Sequence, residues 1–229
     1  MTFILRKKHQ TIVSNKKIKQ SSSTKNRRRS KRRTQTLLGG ILILLAFFIV
    51  FYLRSIYDRQ VEYQGEEMGL IVDLLDINEY SRPGILREKT TGIVIHYVAN
   101  PGSSAKQNRD YFEGLKDSKE TKASAHFIVG LDGEVIQCIP SNEIAYASNE
   151  RNADTIAIEV CHPDESGKFN EDTYRSLVRL TAWMANKYHI KNEDIIRHYD
   201  VTGKLCPKYY VEHEDAWEQL KKDIANARK

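Results

Sequence analysis

The sequence predicts a mixed α/β domain, a β-sheet flanked by helices, preceded by one transmembrane helix. Three observations predict it. Twenty residues from Thr34 to Leu53, "TQTLLGGILILLAFFIVFYL", carry no charge. Two short runs rich in β-branched residues, "GIVIHYV" (Gly92–Val98) and "TIAIEVC" (Thr155–Cys161), read as buried strands. The stretch "NEDTYRSLVRLTAWMANKYH" (Asn170–His189) repeats apolar residues at helical spacing.

Each element follows from its residues. About twenty helical residues span about 30 Å, the hydrocarbon thickness of a bilayer. No small-x-small cleavage site follows the run, which continues into Phe51, Tyr52, Leu53 and Arg54, so an uncleaved anchor is expected over a signal peptide. "YSRPG" (Tyr80–Gly84) is a turn. "SAKQNRDYFEGL" (Ser104–Leu115) reads as a helix with Ser104 as N-cap. "SAHFIVGLDGEVIQCIP" (Ser124–Pro140) is a hairpin around Asp132-Gly133. In the Asn170–His189 helix, Tyr174, Leu177, Val178, Thr181, Met184, Ala185 and Tyr188 face inward, and Asn170 caps it. "VEHEDAWEQLKKDIANA" (Val211–Ala227) reads as one closing helix.

Charge divides the chain. Residues 1–36 hold thirteen Lys and Arg and no acidic residue, leaving 23 basic against 30 acidic residues beyond. The basic block precedes the apolar run, which places the N-terminus in the cytoplasm and the rest outside. The tail lacks the interleaved aromatics that stack on bases, so anionic lipid is its expected partner and nucleic acid is not. Its composition predicts disorder. The expected organisation is a cytoplasmic tail at 1–36, an anchor at 37–53, a connector at 54–78 and an extracytoplasmic domain at 79–229.

Five residues stand out chemically. His96 ends an apolar strand. His198 and Cys206 lie in "RHYDVTGKLCP" (Arg197–Pro207), which Gly203 and Pro207 mark as a loop. Two imidazoles and a thiol suit zinc, whose catalytic sites keep a fourth position open. Glu159 places a carboxylate inside a buried-type strand, where carboxylates are rare unless they have a purpose or a partner. Lys204 lies two residues before Cys206 and can direct an ammonium at an oxyanion. His126 and His162 are spare histidines that would close a structural zinc shell. Cys138 and Cys161, each ending a predicted strand, can form a disulfide if those strands are neighbours. A cysteine nucleophile, Cys161 or Cys206 with His198 as base, is a further reading.

These motifs resemble the zinc-dependent N-acetylmuramoyl-L-alanine amidase family, the type 2 amidase or peptidoglycan-recognition-protein-like fold. "SRPG", "GIVIHYVANPGSSA", "SAHFIVGLDGEVIQCIP", "NADTIAIEVC" and "RHYDVTGKLCP" occur in the family's order, over roughly Asn78 to Tyr210. The resemblance implies Zn2+ held by His96, His198 and Cys206, with Glu159 as general base and Lys204 as oxyanion partner. It implies hydrolysis of the amide between N-acetylmuramic acid and L-alanine in bacterial peptidoglycan, an autolysin-type activity; the expected catalytic domain is monomeric, and the apolar run is expected to hold it at the cell membrane. Two positions depart from the family. Ala125 replaces a tyrosine that some relatives carry, leaving its role to Glu159, and "AYAS" (Ala145–Ser148) replaces Ala-Trp-His-Ala. The alternative is a non-catalytic peptidoglycan-binding module of the same fold.

Overall fold

A computed structural model describes residues 39–56 and 69–228. The basic tail and residues 57–68 of the expected connector lie outside the described residues. The chain divides into two compact units, Met1–Tyr57 and Asp58–Lys229. In the first, helix α1 (Gly39–Ile56) has a mean hydropathy of 2.2 and is, among the described residues, the one helix long and apolar enough to cross a membrane.

The second unit is a mixed sheet between helical layers. Its strands are β1 (Ile71–Val72), β2 (Gly92–Ile95), β3 (Phe127–Val129), β4 (Val135–Gln137), β5 (Thr155–Val160) and β6 (Ile195–Arg197), in the order β1-β4-β3-β5-β2-β6. β3 and β4 pair antiparallel across the hairpin, and every other neighbouring pair is parallel. Parallel strands covered on both faces need continuous apolar runs. β2 and β5 supply them, with every residue of β2 buried.

Helix α2 (Ala105–Ser118) covers one face, packing Phe112 and Leu115 on Ile128, Ile136 and Ala157. Ser104 caps it as expected: its side chain accepts from Gln107 N, and Gln107 answers on the Ser104 N–H. Helices α3 (Glu171–Lys187) and α6 (Glu214–Ala227) cover the other face over Ile93, Ile95, Ile156 and Ile158. The inward face of α3 is broader than its periodicity predicts. Leu180, Ala182 and Trp183 are buried as well, because α3 packs against α6 residues Trp217 and Leu220 in addition to the sheet.

Asn170 ties α3 to the hairpin. Its Oδ1 accepts from Thr173 N–H at 2.9 Å, while its Nδ2 donates to Leu131 O at 2.9 Å in the turn. Arg82 of "SRPG" forms a two-pronged ion pair with Glu143 at 2.8 and 2.9 Å and donates to Leu75 O, holding that turn against the domain.

Three expectations change. The closing helix is two helices, α5 (Lys208–Glu212) and α6, because His213 leaves the helical conformation between them, at φ -127° and ψ 85°. "RHYDVTGKLCP" is not all loop: α4 (His198–Thr202) occupies its first half, ended by Gly203 at φ 76°. β1 and the buried Leu75 fall inside the stretch read as connector, so the folded unit takes up part of it.

The cysteines Cys138, Cys161 and Cys206 are free and buried. β3 separates β4 from β5, so the strands that end at Cys138 and Cys161 are not neighbours. Cys138 N–H bonds to His126 O, whereas Cys161 N–H bonds to Val129 O, three residues further along β3. Two strand spacings alone separate them by about 10 Å, beyond the 7 Å Cα limit of a disulfide.

Candidate metal centre and a neighbouring buried carboxyl

Strand register assembles the site. β2 pairs Ile95 with Ile158 of β5 and with Arg197 of β6. One residue further, His96 lies between Glu159 and His198, and the His96 N–H to Ile158 O bond of 2.9 Å continues the ladder. In parallel strands registered neighbours point to the same face. Glu159 alternates with Ala157 and Cys161, which belong to the core under α2, so the row faces the α2 side.

Cys206 arrives from the other end of α4. Gly203 turns the chain, Tyr199 N–H bonds to Cys206 O at 2.9 Å, and a cis bond joins Cys206 to Pro207. Arg197 braces this return: its guanidinium binds Asp200, Glu214 and Tyr210 O. His96, His198 and Cys206 are all buried, and their ligand atoms lie within 4.8 Å of one another. Cys206 Sγ is 3.9 Å from His96 Nδ1, and the two imidazole centroids are 4.6 Å apart.

The donor set fits a zinc ion. Two imidazoles and one thiol is a catalytic-type shell with one position open, and small side-chain shifts close 4.8 Å to the spacing that bonds of about 2.0–2.3 Å require. His198 Nδ1 is buried with no hydrogen-bond partner, as a nitrogen reserved for a metal would be. Burial, then His198 and Lys204, hold His96 well below the usual imidazole range; burial and Lys204 lower His198 too. Both rings are therefore neutral at pH 7, the form that binds metal. Burial and the Glu159 carboxylate push the Cys206 thiol up to about 12, against which a Tyr97 backbone N–H and Lys204 act.

Glu159 is the site's unusual acid. Its Oε2 is buried without a partner, and burial raises its pKa to about 8, with Lys204 the opposing influence. Lys204 itself is exposed, and its charge reaches all four of the other residues.

The spare histidines stand apart from this group. His126 accepts from Ala157 N–H at Nδ1 and donates from Nε2 to Glu143 O, each at 2.9 Å. Burial and the neighbouring Arg87 guanidinium lower its pKa to about 3. The folded protein thus excludes a proton that the unfolded chain binds below about pH 6.5. Stability from this residue is complete above pH 6.5 and falls by about 1.4 kcal/mol per pH unit down to about pH 3. A His126→Gln protein is expected to lose that slope in urea unfolding between pH 6 and 4.5; an unchanged slope contradicts the assignment. His162 Nδ1 contacts Asp164 O at 2.8 Å and its ring packs 5.1 Å from Tyr97.

Sequence reasoning missed Ser148 and Asn149, which contact the Nε2 atoms of His96 and His198. Their position directly after "AYA", where the chain departs from the family pattern, was the available signal. A cleft of about 630 Å3 lies elsewhere, lined by Phe169, Tyr174, Tyr209, Tyr210 and neighbours on the α3 and α6 side. It includes none of the five site residues, so hydrogen bonding and burial, not cavity size, mark the chemistry.

The family model described as N-acetylmuramoyl-L-alanine amidase matches residues 86–209. N-acetylmuramoyl-L-alanine amidase CwlL of Bacillus licheniformis is 32% identical over 168 residues, covering 68% of this chain and 46% of that protein. A probable N-acetylmuramoyl-L-alanine amidase of the same organism is 35% identical over 154 residues, covering 62% of this chain and 43% of that protein. The chain thus spans about half the length of the curated relatives it matches. In fold it is similar to the PlyG catalytic domain, with a TM-score of 0.60 at 22% identity over 69% of this chain and 94% of that one. The family match covers the strand of His96, the strand of Glu159 and the segment from His198 to Cys206, and on that footing the chain belongs to the N-acetylmuramoyl-L-alanine amidase family.

Proposed function

We propose that this chain is a membrane-anchored, zinc-dependent N-acetylmuramoyl-L-alanine amidase. The observation that carries the reading is the convergence of His96, His198 and Cys206 beside the buried carboxylate of Glu159. When bound there, zinc would polarise the scissile carbonyl and acidify water.

The protein's own residues do the rest. Neutral His96 and His198 and the thiolate of Cys206 would hold the metal. Glu159 takes a proton from water as it attacks the lactyl carbonyl of N-acetylmuramic acid. It then gives that proton to the nitrogen of L-alanine as the C–N bond breaks, yielding a free carboxylate and a free amine. A carboxyl whose pKa burial raises to about 8 has that pKa lowered toward pH 7 by nearby positive charge, the range in which one group both accepts and returns a proton. Lys204 stabilises the oxyanion that forms at the carbonyl oxygen.

The same reading covers placement. Helix α1 holds the domain against the wall from the membrane surface, and the thirteen basic residues before it keep the N-terminus in the cytoplasm. A tether of this kind raises local enzyme concentration at its substrate. Mass analysis of muropeptides after incubation with the full chain tests the reading. Free stem peptides beginning with L-alanine are expected with zinc and not after chelation. Intact muropeptides from a zinc-loaded protein would leave a binding module of this fold instead.

A further inference from the structure

Ser148 and Asn149 are consecutive residues, and each meets a different candidate ligand. Ser148 Oγ is 3.1 Å from His96 Nε2, and Asn149 Oδ1 is 3.1 Å from His198 Nε2. An amide oxygen only accepts, so His198 Nε2 carries the proton and Nδ1 keeps its lone pair. His96 is disposed the same way in space: Nε2 meets the Ser148 hydroxyl, and Nδ1 faces Cys206 Sγ at 3.9 Å. His198 Nδ1 is the buried nitrogen without a partner. One loop therefore engages the outer nitrogen of both rings, leaving His198 Nδ1 without a partner and His96 Nδ1 facing Cys206.

The loop is built to hold this position. Asn152 Oδ1 accepts from the N–H groups of both Ala147 and Ser148, at 3.0 and 2.6 Å. Ser148 is wholly buried. Asn149 sits at φ 53°, in the left-handed region that favours glycine. Glycine would relieve that strain but has no acceptor to offer His198. A strained residue beside a functional group points to what its side chain does there.

We propose that Ser148 and Asn149 act as one clamp that fixes the tautomer and orientation of both ligand histidines, so that metal affinity depends on this loop. The inference rests on the reading of His96, His198 and Cys206 as zinc ligands. Both are positioning residues, which act through the ligands they touch. The clamp has a structural logic, since His96 follows β2 and His198 opens α4, two separate segments whose ring rotations need a common reference.

The test is zinc affinity of the full chain in detergent, by competition with a chromophoric chelator, alongside thermal unfolding of the metal-free protein. Asn149→Gly is expected to weaken zinc binding by about 10–100-fold, the usual effect of losing an outer-shell partner. Its metal-free unfolding midpoint is expected to hold or rise, because glycine suits the backbone there. Asn149→Asp keeps the acceptor and is expected to hold affinity within a few-fold. Ser148→Ala is expected to weaken binding on the same scale, and with cobalt in place of zinc to shift the d–d absorption bands while keeping the sulfur-to-metal band of Cys206. An Asn149→Gly protein that binds zinc as tightly as the unmodified chain overturns the clamp. If that variant loses both stability and affinity, Asn149→Asp decides: retained affinity supports the clamp, and equal loss overturns it. An unmodified chain that binds no zinc overturns the ligand reading itself, a result distinct from failure of the clamp alone.

Discussion

Replacing Cys206 with serine is expected to strip zinc from the protein and to end muropeptide cleavage. A buried hydroxyl does not ionise as a thiol does on meeting a metal, so the site loses its anionic ligand. The expected metal content falls to a small fraction of one ion per chain, measured by elemental analysis after dialysis. The thiol also makes a calorimetric prediction. With both histidines already neutral and Cys206 held up to about 12 in the metal-free protein, zinc binding at pH 7 must release the Cys206 proton. Titrations in buffers of different ionisation enthalpy are expected to show at least about one proton released. A Cys206→Ser protein that keeps zinc and cleaves muropeptides normally would remove the sulfur ligand from the account.

Glu159→Gln is expected to lower kcat by about 10²–10⁴-fold, the usual contribution of a positioned general base, with zinc content unchanged. Glutamine keeps the shape and loses the proton traffic. The same substitution separates two sources of released protons. Glu159 stands near pKa 8 without metal, and positive charge beside it favours the carboxylate, so zinc binding draws a second, partial proton from it. That increment disappears in Glu159→Gln, leaving the contribution of Cys206. A variant with full activity contradicts the base assignment. One that loses zinc together with activity makes Glu159 a determinant of metal binding instead.

Much of this site was legible in the sequence because its parts are chemically odd where they stand. His96 ends an apolar strand, Glu159 interrupts one, and Cys206 shares a short segment with His198. Residue type and local pattern suffice to single them out, and strand order then brings them into one row. What stayed hidden depends on contacts between distant segments. Ser148 and Asn149 lie 52 and 49 residues from the histidines they meet. No spacing rule links them. Cys138 and Cys161 each follow a strand, but β3 runs between those strands, which local pattern does not reveal. The break at His213 and the short α4 escaped for a simpler reason: helical periodicity needs more than five residues to show itself. The outward-looking residues Leu180 and Trp183 were covered by α6, a packing partner that the periodicity of α3 alone does not reveal.

The central claim is that His96, His198 and Cys206 form one zinc centre. X-ray absorption at the zinc edge of the purified full chain tests it most directly. One zinc is expected with two nitrogen ligands and one sulfur ligand, at about 2.0–2.1 and 2.3 Å, plus one further light atom. A shell without sulfur, a shell with two or more sulfurs, or a correctly folded protein that takes up no zinc would contradict it.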